Sequence, residues 1–343
     1  RSLVMTTPHW TAFLAPQGAR LDDGQIDFAD QPSPDATVLV PLVHLGLIRS
    51  SGEDAASFLH NLLSNDLNKL PGERAQLSSF NSPKGRMLAS LLIWRDGADV
   101  VLALSADIHA AMLKKLSMYI LRSKARLSDA SAELALFGIS GADSAAVLAA
   151  AGLPCPAEIM QQVAAGALRV IRVSADSLVV AAPAAEAPAL FDTLRGAGAQ
   201  PAGSARWTLA MIRAGVPLIT AATQEAFVAQ MLNFELIGGV SFQKGCYPGQ
   251  EIVARTQYLG KLKKRMYRAH IDTTTPPVAG TDLYAADFGE QSAGQLVNVA
   301  PAPQGGFEAL AVLQTSSHDS GEVRLGAPDG PVLRFLDLPY ALP

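Results

Sequence analysis

The chain has few cysteines, few charges and no long apolar run, and each scarcity removes a class of protein. Two cysteines in 343 residues, Cys155 and Cys246, supply neither a disulfide framework nor a CxxC metal site. That usage points to a reducing compartment, and a cytoplasmic location is expected. The charge-free apolar run Ser144–Ala157 has 14 residues and two prolines. A spanning helix needs about 20, so no membrane partner is expected. Nothing near the start resembles a secretory peptide, and Arg1–Val4 ahead of Met5 reads as an added remnant. Charged residues make up 17%, and the net charge is −4 from 27 bases and 31 acids. That balance argues against a general binder of nucleic acid or anionic membrane. The six histidines form no pair at i, i+4, so no metal site is expected. HExxH, GxSxG and Walker motifs are absent, and Gly196-Ala197-Gly198 follows a helical segment without a third glycine.

What is present is apolar mass: 49% of the residues, enough for a large core, in a chain long enough for two or three domains. The sequence also contains a duplication. Ser51–Leu59 and Ser140–Leu148 share Ser, Gly, Asp, Ala and Leu at five matching positions, and at the same offset of 89, Leu45 and Leu47 match Leu134 and Leu136. Each copy reads as a strand, a Ser-Gly-x-Asp helix start whose polar side chains can cap, and an apolar helix. The first copy continues with strands Met87–Trp94 and Val100–Leu104 around an Arg95–Asp99 turn. A helix follows, with Ile108, Met112, Leu116 and Ile120 on one stripe. The second copy repeats this with Leu168–Val173, Leu178–Ala182 and a helix near Glu186–Arg195. Leu21–Ala36, with five aspartates and no base, reads as an exposed loop or arm. The short runs Met266–Ile271, Gly294–Val299, Phe307–Leu313 and Val332–Phe335 suggest a small β-barrel. The expected fold is α+β: duplicated ferredoxin-like β-α-β-β-α halves and a C-terminal barrel. The expected domains are an arm at 1–37, halves at 38–130 and 131–260, and the barrel at 261–343.

The densest unusual stretch surrounds Cys246. Pro248-Gly249 suits the centre of a type II turn, and Gln250–Tyr258 a short helix. A helix N-terminus and the nearby Lys244 favour a thiolate at Cys246, whereas Glu251 opposes it. On local physics alone the same residue reads more readily as a small buried hydrophobe, the usual fate of a free cysteine. Cys155, between two prolines, has no such surroundings and reads as structural.

Lys244-Gly245-Cys246-Tyr247-x-Gly249-Gln250-Glu251 resembles the KGC[YF]xGQE motif of YgfZ-type folate-binding proteins, relatives of the glycine-cleavage T-protein and of mitochondrial iron–sulfur assembly factors. The resemblance takes in Ser57–His60, Ser82–Met87, Ala214–Pro217 and Ala229–Glu235, and so most of the chain from Leu42 onward. It implies a three-domain ring with tetrahydrofolate or a one-carbon derivative in the central opening. Trp207 falls at the family's folate-contacting tryptophan and also reads as a core anchor. Lys84 and Arg86 would meet the glutamate tail, or be two solvated charges. Leu45, Arg213, Gln230 and Asn233 complete the implied ligand set, and Lys244 and Arg255 would tune charge around a functional Cys246. Two positions depart from the pattern. Lys84–Leu91 lacks the carboxylate that assists transfer in the aminomethyltransferase branch, so no classical turnover is expected. Arg213 stands where relatives generally have glutamate. The implied role is accessory: support of iron–sulfur cluster enzymes or assembly proteins and of radical enzymes that modify tRNA. A folate-dependent one-carbon transferase using Cys246 or a bound water is the alternative. A second is an RNA or partner adaptor working through Arg255–Arg268, which holds six bases and no acid, or else a solvated junction.

Overall fold

The computed structural model describes residues 8–258 and 262–343, so Arg1–Val4 and Lys261 lie outside the described residues. The chain forms two compact units, each made of separate stretches of sequence. One comprises Arg1–His60, Leu67–Gln76 and Leu91–Trp207; the other comprises Asn61–Asp66, Leu77–Ser90 and Thr208–Pro343.

Two sheets organise the first unit. In one, the strands run in the order Ala75–Asn81, Met87–Asp96, Asp99–Ser105, Leu45–Ser51, Arg126–Asp129, and the stretch 77–90 of its first two strands belongs to the second unit. Leu45–Ser51 pairs antiparallel with both Asp99–Ser105 and Arg126–Asp129. The other sheet has the order Gln162–Ala165, Leu168–Arg172, Ser177–Pro183, Leu134–Ser140, Val38–Pro41, Gln200–Pro201. Its pairs are antiparallel except the last, which is parallel. Helices Ala55–His60 and Ala106–Ser117 follow strands of the first sheet, and Ser144–Ala150 and Ala187–Gly196 follow strands of the second. The four-residue stripe does what it predicts: Ile108, Met112 and Leu116 are buried, while Ile120 falls beyond the helix end.

The repeated Ser-Gly-x-Asp turns play a different part from the one predicted. Asp143 makes no side-chain cap bond, and Asp54 accepts the Lys124 N–H instead. The glycines explain the motif. A Cβ on Gly52 would lie 2.3 Å from the Lys124 carbonyl oxygen, and one on Gly141 would lie 2.6 Å from Thr37 Cα. Each turn is therefore crossed at backbone distance by the chain entering another strand of the same sheet, the edge strand Arg126–Asp129 in one and Val38–Pro41, beside the edge strand, in the other. The two halves thus match in chain path around the turn but draw that strand from different places in the sequence.

The acidic N-terminal stretch is more than an exposed loop. Ala19–Asp22 and Gln25–Phe28 form an antiparallel hairpin that buries Ile26 and Phe28. Phe28 stacks on Phe191 at 6.4 Å, and Trp10 meets Phe137 edge-on at 5.4 Å. Burying a large apolar side chain of this kind contributes about 1.5–3 kcal/mol, which outweighs the solvation preference of the aspartates because those keep their side chains in water.

The second unit holds a six-stranded antiparallel sheet, ordered Val323–Leu325, Asp282–Ala285, Gly294–Pro301, Phe307–Gln314, Lys264–Ile271, Leu333–Leu336. A bridge between Arg324 and Val332 draws its edge strands together, so the sheet curls into a partial barrel. Its concave face is filled by Ala269, Ile271, Leu296, Ala311, Leu313 and Leu333.

Candidate functional site

Cys246 is exposed, on an irregular segment leading into the helix Gln250–Tyr258. The predicted turn is formed. The Gln250 N–H donates to the Tyr247 carbonyl at 3.1 Å, and Gly249 has φ +77°, so Pro248 and Gly249 hold the central positions of a type II turn.

Two supports hold this segment, both from residues distant in sequence but within the same unit. The first is the stretch 61–66. Lys244 Nζ donates to the Leu63 carbonyl at 2.5 Å, and the Ser241 N–H donates to the Ser64 carbonyl at 2.9 Å. In return, Ser64 Oγ donates to the Gly239 carbonyl and Asn65 Nδ2 to that of Gly238, each at 2.7 Å. The second support is the turn Ser82–Gly85, closed by the Gly85 N–H on the Ser82 carbonyl at 2.9 Å. A Cβ on Gly249 would lie 2.6 Å from Gly85 Cα and from the Ser82 oxygen. The two turns therefore interlock backbone to backbone, and Ile252 closes over Gly85 from the helix.

Lys244 is buried, its ammonium 4.7 Å from the centre of the Tyr247 ring. Burial pulls its pKa down to about 8, against the opposing pull of Asp66 and Cys246. Burial likewise raises the Tyr247 phenol to about 12. Lys244 thus anchors the loop to Leu63 as well as placing a cation near the thiol.

The remaining predicted residues are distributed as follows. Lys84 is exposed on the interlocked turn, whereas Arg86 donates to the Ala226 carbonyl at 2.5 Å. Gln230 Nε2 donates to the Val253 carbonyl at 2.7 Å and Asn233 Nδ2 to that of Met266 at 2.8 Å, so both tie the site's scaffold together. Glu251 and Arg255 are exposed on the helix. Arg213 pairs with Glu308 at 2.7 Å, and Arg268 reaches the same carboxylate at 3.0 Å. Burial alone would raise the Glu308 pKa, but the two guanidiniums more than reverse this and hold it below the usual carboxylate value. Trp207 and Leu45 belong to the first unit. Trp207 is buried there with its ring against the Gly138 backbone, and Leu45 is half-buried opposite Ser105. In the stretch expected to lack a carboxylate, Leu88, Ala89 and Ser90 are buried in a strand, and Ser90 Oγ accepts the Ile219 N–H at 2.9 Å.

Three features escaped the sequence. Cys155 does have a cationic neighbour, for Arg172 Nη2 lies 3.1 Å from its sulfur. The basic run 255–268 is not a continuous cationic face, since Arg265 pairs with Glu235 and Arg268 with Glu308. Asn81, just before the interlocked turn, is 2% exposed and neither its amide oxygen nor its amide nitrogen has a hydrogen-bond partner. Only the lone acid within the apolar strand Phe307–Gln314 signalled Glu308 in advance. Among the described residues no helix is long and apolar enough to cross a membrane, and no group of His, Cys, Asp and Glu could hold a metal.

Residues 35–206 match the GCVT N-terminal domain, half of the chain, and the protein belongs to that family. Its particular likeness is to YgfZ. It is 27% identical to the tRNA-modifying protein YgfZ of Escherichia coli O7:K1 over 91% of this chain and 97% of that one. The YgfZ of Escherichia coli O6:H1 is 28% identical at the same coverage. The glycine cleavage system aminomethyltransferase T from Bartonella henselae has a TM-score of 0.76 over 94% of each chain at 18% identity, a likeness of fold. The resemblance drawn from the cysteine motif thus extends over nearly the whole chain, on a mixed α/β fold of the T-protein type.

Proposed function

We propose that this protein is a folate-binding accessory factor that supports iron–sulfur cluster enzymes, including those that modify tRNA, through Cys246. The carrying observation is the exposed thiol on a loop locked from two sides. A side chain held in this way is presented rather than merely tolerated, because fixing it in advance lowers the ordering cost of meeting a partner. The name of the curated relatives, tRNA-modifying protein, supports the tRNA part of the reading. The two halves are inferred to descend from one duplicated ferredoxin-like unit.

Tetrahydrofolate or a one-carbon derivative is the proposed ligand. Asn81 supports the fit: a buried amide with both a donor and an acceptor unmet suits a pterin edge, which carries both. Lys84, exposed beside it in sequence, would meet the anionic tail. Arg213 is already engaged by Glu308 and is proposed to shape the site's wall rather than to oppose the pterin. When bound, the folate supplies a one-carbon carrier. No observation favours turnover on it, because Ser90 is already hydrogen-bonded and its neighbours are apolar.

The test has two arms. Tetrahydrofolate is titrated into the parent and into Asn81→Leu, with binding followed by calorimetry. Asn81→Leu is expected to weaken binding about tenfold while raising stability by about 1 kcal/mol, because it removes two unsatisfied polar atoms. Cys246→Ala is expected to fold and bind folate normally yet fail to restore iron–sulfur enzyme activity in cells lacking the protein. Full restoration by the alanine variant rules out the thiol's role, and absence of saturable folate binding by the folded parent rules out the ligand.

A further inference from the structure

Between Ile108 and Ser128 the sequence holds five bases, Lys114, Lys115, Arg122, Lys124 and Arg126, and no acid. The helix Ala106–Ser117 buries Ile108, His109, Met112 and Leu116. Just beyond its end, Met118, Tyr119 and Leu121 are 64%, 40% and 86% exposed. Lys114, Arg122, Lys124 and Arg126, near them in sequence, are also exposed. The acids that reach this region are engaged by Lys124 and His109: Glu53 pairs with Lys124 at 2.7 Å, Asp54 accepts the Lys124 N–H at 2.7 Å, and Asp129 lies 3.4 Å from His109 Nε2. Among the described residues, no carboxylate forms an ion pair with Lys114, Lys115, Arg122 or Arg126.

Large apolar side chains left in water, as Met118 and Leu121 are, each forfeit about 1.5–3 kcal/mol relative to burial, and together they mark a contact surface. The excess of unpaired bases, Lys114, Arg122 and Arg126, selects the partner. It must be anionic and must also offer flat apolar faces to Tyr119, Met118 and Leu121. A single-stranded RNA segment offers both, with splayed bases for the tip and phosphates for the lysine and the arginines. We infer that this basic, apolar-tipped turn is a docking site for an unpaired loop of RNA. The inference rests on the tRNA-directed part of the reading above and moves the RNA contact away from 255–268.

Unfractionated tRNA is titrated into the full chain at two salt concentrations and followed by fluorescence anisotropy. Binding is expected to be saturable and to weaken with salt, with a slope of about −2 to −3 for three or four phosphate contacts on a single strand. Lys114→Gln/Arg122→Gln/Arg126→Gln should weaken it at least about tenfold and flatten that slope. Met118→Ser/Leu121→Ser should weaken it about threefold or more with the slope unchanged. Lys263→Gln, on the other basic run, should change neither. The inference is overturned if the parent does not bind tRNA, if the first two variants bind like the parent, or if the control variant carries the loss. It is also overturned if Met118→Ser/Leu121→Ser abolishes co-sedimentation with vesicles of equimolar phosphatidylserine and phosphatidylcholine and leaves tRNA binding intact, since a membrane would then be the partner. Each variant's tetrahydrofolate binding and circular dichroism are measured alongside. Lost RNA binding with folate binding retained therefore bears on this surface alone, and absent folate binding in the parent bears on the earlier reading.

Discussion

The segments 255–268 and 108–128 are both basic and both free of acid in the sequence, yet the fold sends their charges to opposite fates. In the first, Arg265 meets Glu235 and Arg268 meets Glu308, with both carboxylates buried. Lys264 is half-buried, and burial, with Arg86 nearby, depresses its pKa. In the second, among the described lysines and arginines only Lys124 finds a carboxylate, Lys115 is half-buried, and Lys114, Arg122 and Arg126 are exposed. A local excess of charge therefore describes a surface only where no distant strand or turn returns the opposite sign. The acids that meet Arg265 and Arg268 are Glu235, beyond the 3-10 helix Ala229–Leu232, and Glu308, inside a barrel strand.

The sharpest contrast should come from removing those acids. Glu235→Ala leaves the Arg265 charge buried with only the Gln230 carbonyl to accept from it, and side chains 5% and 12% exposed put the loss at about 3–5 kcal/mol by chemical denaturation. Glu308→Gln should cost less, about 1–2 kcal/mol, since the amide still accepts hydrogen bonds and Arg213 is 45% exposed. The same carboxylate gives a pH signature. Its folded pKa lies below the ordinary 4.5, so its contribution is complete above that value and is lost as pH falls through the folded pKa. Thermal unfolding followed from neutral to acid pH should show a shallower acid-side loss in Glu308→Gln than in the parent. The smallest effect belongs to the other segment. Replacing Lys114, Lys115 or Arg122 singly by Gln should leave stability within about 0.5 kcal/mol, because no ion pair is broken. A large loss there would erase the distinction between the two runs.

The parts legible in the sequence are those whose signal is local. Ile108, Met112 and Leu116 announce their helix by spacing, and Pro248-Gly249 announces its turn because proline fixes its φ and glycine tolerates the positive φ that follows. The strand Ala75–Asn81 was hidden because its Ser78 and Ser79 look solvent-loving. Both are fully buried, and Ser64 Oγ satisfies the Ser79 N–H at 2.8 Å and lies 3.4 Å from Ser78 Oγ. Gln25–Phe28 does alternate polar and apolar residues, but the surrounding aspartates masked a hairpin whose burial depends on Phe191, far along the chain. The candidate site divides in the same way. The cysteine motif could be read directly, but its supports at Leu63 and Gly85 are tertiary, and no spacing rule within the motif points to them.

The meeting of Gly85 and Gly249 has a consequence for anyone wishing to rebuild this loop elsewhere. Glycine is already the smallest residue, so neither position has a smaller neighbour with which to make room for the other. The loop and the turn beneath it are thus one transplantable part. A graft carrying Lys244 to Arg255 into another scaffold needs a host turn as bare as Ser82–Gly85, or must bring that turn along.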